Sequence, residues 1–300
     1  MAADLIPFHD RDGSIWLDGK LVPWREAQVH VLTHGLHYAS AVFEGERVYG
    51  GNIFKGPQHT ARLHNSARIM GFKIPWTPEQ IEQAKAQVLR ANGIVDGYVR
   101  PVAWRGSEMM GVSAQNNTVH LAIAAWEWPS YFSPEARLRG ISMTLSRWRR
   151  PAPDTAPTDS KAAGLYMICT LGKHEAEAAG FEDALMLDYR GLLAEGTGAN
   201  LFLVQDGKLH TPIPDCFLNG ITRQTVIELA HKRQIPVVER HLAFDELDQT
   251  TEVFVTGTAA ELTPVGRIDD RSFTVGSISE TLMNDYSSLV RSKPAATAAA

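Results

Sequence analysis

Three stretches of this chain place alternating apolar and polar residues on both sides of a short glycine-containing turn, and each reads as an antiparallel hairpin. SIWLDGKLVPW (residues 14–24) pivots on Asp18-Gly19, AVFEGERVYGGNIFK (41–55) on Gly50-Gly51, and NLFLVQDGKLHTP (200–212) on Asp206-Gly207. Side chains alternate between faces along a strand, and Asp-Gly or Gly-Gly accepts the positive φ that two-residue turns require. GYVRPVAWRG, TVHLAIAAW, ISMTLSRW, DALMLD and EVFVTG add further strands.

Helices interleave with these strands. Residues 58–70, QHTARLHNSARIM, space Leu63, Ala67 and Met70 at helical intervals. In TPEQIEQAKAQVLRANG (77–93), Thr77 is the cap, Pro78 the first helical residue, Gln80 the second half of a capping box and Gly93 the stop. Further helices are expected after Lys161, over 276–291, and after Gly220, the last with Thr222 as its cap. Strands and helices mixed in both halves predict an α+β (α/β mixed) fold. Turn-forming Pro129, Ser130, Ser133 and Pro134 put a linker at 127–138, between an N-terminal domain (1–126) and a larger one (139–291). The tail, 292–300, has nothing to bury and is expected to be disordered.

Composition narrows the function. A chain of 300 residues is long for a single small core, which supports two domains. A hydrophobic share of 44% with 21% charged residues describes a globular protein, and a net charge of −5 without long runs argues against a nucleic-acid surface. Two cysteines, Cys169 and Cys216, make neither a disulfide framework nor a metal set, which fits a reducing, cytoplasmic setting. MAADLIPFHDRDG lacks the pattern of a secretory signal, and no apolar run approaches the ~20 residues that span a bilayer.

Several segments carry possible chemistry. In TDSKAAGLY (158–166) a lysine stands among small and apolar residues. A free lysine, with a pKa of ~10.4, is a poor nucleophile at neutral pH, but desolvation or a nearby cation lowers that value and permits Schiff-base chemistry. HVLTHGLHY offers His30, His34 and His37, yet without a glutamate-flanked zinc motif they read as structural, and no metal is predicted. Gly220, before a helix, leaves free N–H groups suited to an anion. EGTGANLF (195–202) and GTAAELTPV (257–265) are further small-residue turns where backbone can approach a ligand. Arg47 and Arg100, on strands among aromatic residues, need anionic partners, from either the chain or a substrate.

Taken in order, HVLTHGLHYASAVFEGERVY, RLHNSA, YVRPVAWRG, TDSKAAGLY, AEGTGANLF, LNGITRQT and TGTAAELTPV resemble the branched-chain amino acid aminotransferases, pyridoxal-phosphate enzymes of fold type IV. The resemblance runs from about residue 14 to 291. It implies a small N-terminal α/β domain, a larger domain with a barrel-like β core, an active site between them, and a homodimer. It assigns Lys161 to the covalent cofactor bond and the proton shuttle. Glu195 would pair with the pyridine nitrogen and Tyr166 with the ring hydroxyl, while Arg62, Ile221, Thr222 and Thr258 would hold the phosphate. For substrate, Tyr98 with the amides of Thr258 and Ala259 would take the α-carboxylate. Tyr38, Phe43, Trp128, Tyr131 and Tyr166 would line the aliphatic side chain. Arg100 with Tyr38 would meet the distal carboxylate of glutamate, and Arg47 would support that region.

The implied reaction moves an amino group from Leu, Ile or Val to 2-oxoglutarate, giving branched-chain 2-oxo acids and L-glutamate. A D-amino acid or R-selective amine transaminase, or a non-catalytic ligand-binding relative, could be built on the same frame. Two residues depart from the family's usual pattern. Glu46 replaces an aliphatic residue, and strand alternation points it away from Arg47 and outside the pocket. Ala199 replaces a glutamate beside the cofactor turn.

Overall fold

The structure, a computed structural model, describes residues 6–128 and 139–292. In the first segment the strands are β1 (Ser14–Leu17), β2 (Lys20–Pro23), β3 (Ala41–Phe43), β4 (Glu46–Tyr49), β5 (Asn52–Ile53), β6 (Gly97–Arg105) and β7 (Val119–Glu127). They form one antiparallel sheet in the order β2-β1-β7-β6-β4-β5, with β3 also paired to β6. The two hairpins expected here turn at Asp18-Gly19 and Gly50-Gly51, all four residues having positive φ.

Helices α1 (His34–Tyr38), α2 (Gly56–Ile69) and α3 (Pro78–Asn92) accompany this sheet. Leu63, Ile81 and Val88 from α2 and α3 pack on Val42, Val48, Leu121 and Ile123. The capping box of α3 is formed as the sequence predicts. Thr77 Oγ1 accepts from Gln80 N at 3.3 Å, Gln80 Oε1 accepts from Thr77 N at 2.8 Å, and Gly93 ends the helix at φ 65°. Alternation along β4 sends Glu46 and Val48 into this core. Glu46 meets Lys85 of α3 at 2.7 Å, and that fully buried ammonium also donates to Thr60 Oγ1 and Glu82 Oε1.

The second segment contains β8 (Ile141–Arg150), β9 (Asp183–Asp188), β10 (Leu193–Gly196), β11 (Asn200–Gln205), β12 (Lys208–Thr211), β13 (Val237–Glu239), β14 (Glu252–Gly257), β15 (Glu261–Ile268) and β16 (Arg271–Ser272). The ring β10-β9-β8-β15-β14-β11 closes because β11 also pairs with β10, Glu195 opposite Asn200. This six-stranded barrel has no exposed edge within the ring. Its interior is filled by Ile141, Met143, Leu185, Leu201, Val253, Val255 and Val265.

Outside the barrel run α4 (Met167–Ala178), α5 (Ile221–Lys232) and α6 (Ser277–Arg291). Side chains from α5 and α6 pack on Phe202 and Phe254, and Tyr49 of the first sheet joins this cluster. Tyr49 also donates to Glu261 Oε1 of β15 at 2.8 Å, which fixes the outer face of β4 against the barrel.

The helix after Gly220 differs from expectation at its cap. Gly220, not Thr222, is the N-cap, and Thr222 lies inside the first turn. The cap residue makes no side-chain bond, and its own N–H is held by Asn200 Oδ1 at 3.2 Å. Of the expected linker, only Glu127, the end of β7, and Trp128 are described. The tail, apart from Ser292, also lies outside the described residues.

Candidate active site

Lys161 is fixed through its backbone before its amine meets anything. Its N–H donates to Ser66 Oγ of α2 at 2.9 Å, and its carbonyl accepts from Phe43 N of β3 at 3.2 Å. The next residue, Ala162, forms a β-bridge with Val42. The lysine is thus pinned where the first sheet meets the barrel. Its Nζ lies 2.7 Å from Tyr166 Oη and over the rings of Phe43 and Tyr166, 5.1 Å from each centroid. Burial, followed by the nearby Arg62 charge, lowers its pKa to about 8. Burial also pushes the Tyr166 phenol well above its ordinary value, so at neutral pH the hydroxyl keeps its proton.

The amine borders a cavity of about 60 Å³ whose walls also include Arg62, Arg150, Glu195, Ile221, Thr222, Thr256 and Thr258. Glu195 lies one residue before the end of β10 and is buried. Arg150 Nε lies 3.2 Å from its Oε1, and Asn200 Nδ2 donates to its Oε2 at 3.0 Å. Burial raises this carboxyl to about 7 against the opposing pull of Arg150 and Lys161. Asn200 also donates to Leu218 O, so one amide ties the acid to the approach of α5.

The opening turn of α5 offers free N–H groups and the positive end of a helix dipole. A Cβ at Gly220 would come within 2.2 Å of Asn200 Oδ1, so only glycine permits this approach. Opposite, Arg62 is held by Glu44, which accepts from its Nε at 2.6 Å and its Nη2 at 2.8 Å. His59 Nδ1 is 2.6 Å from the same carboxylate.

A second cavity, of about 200 Å³, shares Lys161, Tyr166, Thr197, Gly198, Ala199 and Thr258 with the first. Phe43, Tyr98, Arg100 and Ala259 complete its more aromatic side. Arg100 lies over the Phe43 ring at 4.8 Å and donates to Tyr98 Oη at 3.5 Å. A Cβ on Gly45 would overlap the Tyr98 hydroxyl at 1.8 Å, which makes glycine necessary for the tyrosine's position.

The structure therefore gathers Lys161, Arg62, Tyr166, Glu195, Ile221, Thr222 and Thr258 around the first cavity, and Phe43, Tyr98, Arg100, Thr258 and Ala259 around the second. Three predicted residues stand apart from both linings. Tyr38 on α1 is 43% exposed and stacks on His34 at 4.6 Å. Arg47 is buried on the outer face of β4, 5.1 Å above the Tyr49 ring, its Nε and Nη1 without a hydrogen-bond partner among the described residues. Trp128 lies 5.7 Å from Tyr98, ring centre to ring centre. Tyr131 falls outside the described residues.

Sequence reasoning missed Glu44, Arg150, Asn200 and Thr256. Glu44 carried a signal, since an acid directly after the apolar run Ala41–Phe43 must find a cation if it is buried. The histidines bind backbone. His34 Nε2 lies 2.9 Å from Gly111 O, and His30 Nδ1 accepts from Leu32 N. Among the described residues one further cluster, Asp188, Asp215 and Cys216, is bridged by Arg190, which reaches both aspartates.

The donor set suits a phosphorylated aldehyde cofactor with a protonated ring nitrogen. It offers an amine of lowered pKa, an arginine facing an open helix start, and an acid held by an arginine and an amide. Thr256 Oγ1, buried on the cavity wall, has no hydrogen-bond partner among the described residues and is one further group such a ligand would satisfy. Pyridoxal phosphate fits these residues.

Comparison with known proteins agrees. The family model for amino-transferase class IV matches residues 41–268. A probable branched-chain-amino-acid aminotransferase of Rickettsia conorii is 43% identical over 281 residues, covering 92% of this chain and 96% of that protein. The branched-chain-amino-acid aminotransferase of Pseudomonas aeruginosa is 42% identical over 291 residues, 95% of each. Among solved structures, a T.th. branched-chain amino acid aminotransferase with pyridoxamine 5'-phosphate superposes with a TM-score of 0.91 at 40% identity, covering 94% of this chain and 95% of that one. The Escherichia coli enzyme also gives 0.91, at 36% identity, covering 96% and 98%. With this barrel, this lysine and these relatives, the chain belongs to the class IV aminotransferases, and within them to the branched-chain-amino-acid aminotransferases.

Proposed function

We propose that this protein uses pyridoxal phosphate to transfer the amino group of branched-chain L-amino acids (Leu, Ile, Val) to 2-oxoglutarate, giving branched-chain 2-oxo acids and L-glutamate. One observation carries the reading: the Lys161 amine, held by Tyr166, borders both a cavity lined by Arg62 and Glu195 and one lined by Phe43, Tyr98 and Arg100. Solved relatives carry N-(5'-phosphopyridoxyl)-L-glutamate and 4-methylvaleric acid, an acidic and a branched aliphatic ligand, which supports dual recognition.

Bound pyridoxal phosphate supplies an aldehyde that condenses with amines and a ring that accepts electrons when the α-proton leaves. Lys161 Nζ takes that proton and returns it, oriented by Tyr166 Oη. Glu195 holds a proton at the ring nitrogen, and Arg150 and Asn200 keep its carboxylate in place. Arg62, the amides of Ile221 and Thr222, and the Thr258 hydroxyl bind phosphate. The substrate α-carboxylate is taken by Tyr98 with the amides of Thr258 and Ala259. Phe43 and Tyr166, which line the second cavity, wall the aliphatic side chain, and the resemblance adds Tyr38, Trp128 and Tyr131 to them. Arg100, with Tyr38 and supported by Arg47, receives the distal carboxylate of glutamate. When leucine is bound, water can satisfy the arginine at the rim. Donor and acceptor use one site in turn, which gives ping-pong kinetics.

Assembly as a homodimer is part of this proposal. An apolar surface groove of about 420 Å³, lined by Ile15, Leu17, Val29, Leu36, Trp104 and others, reaches Arg100. Exposed apolar side chains beside a site, among them Val29, Leu32 and Leu36, support pairing of two copies. Among the described residues no helix is long and apolar enough to cross a membrane.

The test is a panel of L-leucine, D-alanine and R-1-phenylethylamine with 2-oxoglutarate, read by product formation and by the visible cofactor spectrum. Preference for leucine supports the proposal; preference for either of the others overturns the substrate class.

A further inference from the structure

Asp183 opens β9 on the face it shares with Leu185 and Leu187, which fill the barrel, and none of the roles above uses it. A carboxylate at a barrel wall is costly unless it is hydrogen-bonded. This one is 7% exposed and accepts from Thr197 Oγ1 at 2.5 Å and from Ala184 N at 2.9 Å. Burial raises its pKa, and the bond from Thr197 opposes that rise.

Thr197 belongs to the tight connection between β10 and β11. Glu195 pairs with Asn200, and Gly196 N donates to Ala199 O at 2.7 Å, so Thr197 and Gly198 alone make the turn. Two-residue connections of this kind usually take left-handed φ at one or both positions. Neither Thr197 nor Gly198 lies in that region. The turn therefore lacks the usual internal device that sets its shape. Its flanks, Gly196 and Ala199, have no polar side chain, so Thr197 is the one member whose side chain can be tethered.

Thr197, Gly198 and Ala199 line both cavities, and Asp183 lines the larger. The turn is their common wall. On its far side it abuts β14, since a Cβ on Gly257 would meet Gly198 O at 3.1 Å.

We propose that Asp183 is a positioning residue for transamination: through Thr197 Oγ1 it fixes the Thr197–Gly198 turn between the cofactor and substrate cavities, and so sets the fit of the amino donor. This rests on the function proposed above. The test compares the holoenzyme with Asp183→Asn, Asp183→Ala, Thr197→Val and Thr197→Ser variants. Loss of a hydrogen bond to a charged group predicts that Asp183→Ala and Thr197→Val each raise KM for L-leucine by about tenfold, with a smaller change in kcat. Both also change the visible circular dichroism of the bound cofactor.

Asparagine keeps an acceptor for Thr197, and serine keeps the hydroxyl, so both conservative variants stay within about threefold of wild type. The double variant Asp183→Ala/Thr197→Val is no worse than Asp183→Ala, because Asp183→Ala already removes the bond that Thr197→Val breaks. An Asp183→Ala enzyme with wild-type KM and dichroism overturns the proposal, as does impairment of Asp183→Ala alongside an unaffected Thr197→Val. Should Asp183→Ala fail to fold, Thr197→Val removes the same bond from the other side and decides the matter. If the wild-type protein does not transaminate leucine, the functional reading fails. The dichroism, which needs no turnover, still decides the role of Asp183.

Discussion

Glu44 closes on Arg62 with both carboxylate oxygens, at 2.6 and 2.8 Å, and presents the guanidinium to the cavity that faces the start of α5. The two side chains lie 18 residues apart and come from the connection between β3 and β4 and from α2. Breaking a buried pair by neutralising one partner costs about 3–5 kcal/mol. Glu44→Gln should therefore lower the unfolding free energy in urea by that order and weaken pyridoxal phosphate binding at least about tenfold.

The same pair predicts an acid response. Burial opposes the Glu44 charge, but Arg62 and His59 hold its carboxyl well below the usual carboxylate range. An unfolded glutamate binds protons from ~4.3 downward, so the stabilisation is full above that pH and is lost as the pH falls below it. Urea unfolding between pH 5 and 3 should show wild type losing stability more steeply than Glu44→Gln.

Lys161 of the cofactor-free protein should react at an unusually low pH. Its pKa is lowered to about 8 by burial and by Arg62, and only the neutral amine attacks an aldehyde. The rate of reconstitution with pyridoxal phosphate, followed by visible absorbance, should rise with pH to a midpoint near 8. A free lysine would give ~10.4.

Lys85 and Glu46 form a second buried pair, outside the linings of both cavities. Glu46→Leu alone leaves the ammonium with Thr60 and Glu82 as its remaining partners and should lower stability by about 1–3 kcal/mol. Glu46→Leu with Lys85→Met should restore stability to within about 1–2 kcal/mol of wild type, because apolar replacement of a buried pair is often neutral. Thermal unfolding of the two single variants and the double variant measures this.

Arg100→Met separates the two substrate classes. A charged bond to the distal carboxylate, worth about 1.5–3 kcal/mol, is lost for 2-oxoglutarate and glutamate but not for leucine. KM for 2-oxoglutarate should rise about 10–100-fold while KM for L-leucine changes little. Steady-state kinetics with each substrate varied in turn gives the comparison.

Local signals in the sequence carried far. The Thr77 capping box, the Asp18-Gly19 turn and the lysine among small residues are short-range features, and each stands in the structure where its chemistry requires. Glu46 also lies outside the pocket, as alternation on β4 requires. What stayed hidden depends on distant pairing. Nothing near Arg150 announces Glu195, because β8 and β10 become neighbours of the cavity only when β10–β11 pairing closes the barrel. Asn200 reads locally as one more strand residue, yet it bonds Glu195, Leu218 and Gly220. Thr222 looked like a cap because threonine commonly is one, but Asn200 secures Gly220 in that place from another strand. Tyr38 reads as a pocket residue by resemblance, whereas within one chain it faces outward.

The most direct measurement is borohydride reduction of the protein loaded with pyridoxal phosphate, followed by peptide mass mapping. The phosphopyridoxyl group should be found on Lys161, and the Lys161→Ala protein should lack both the label and multiple-turnover transamination. A label on another lysine, or full activity in Lys161→Ala, would contradict the assignment of this amine as the reactive group.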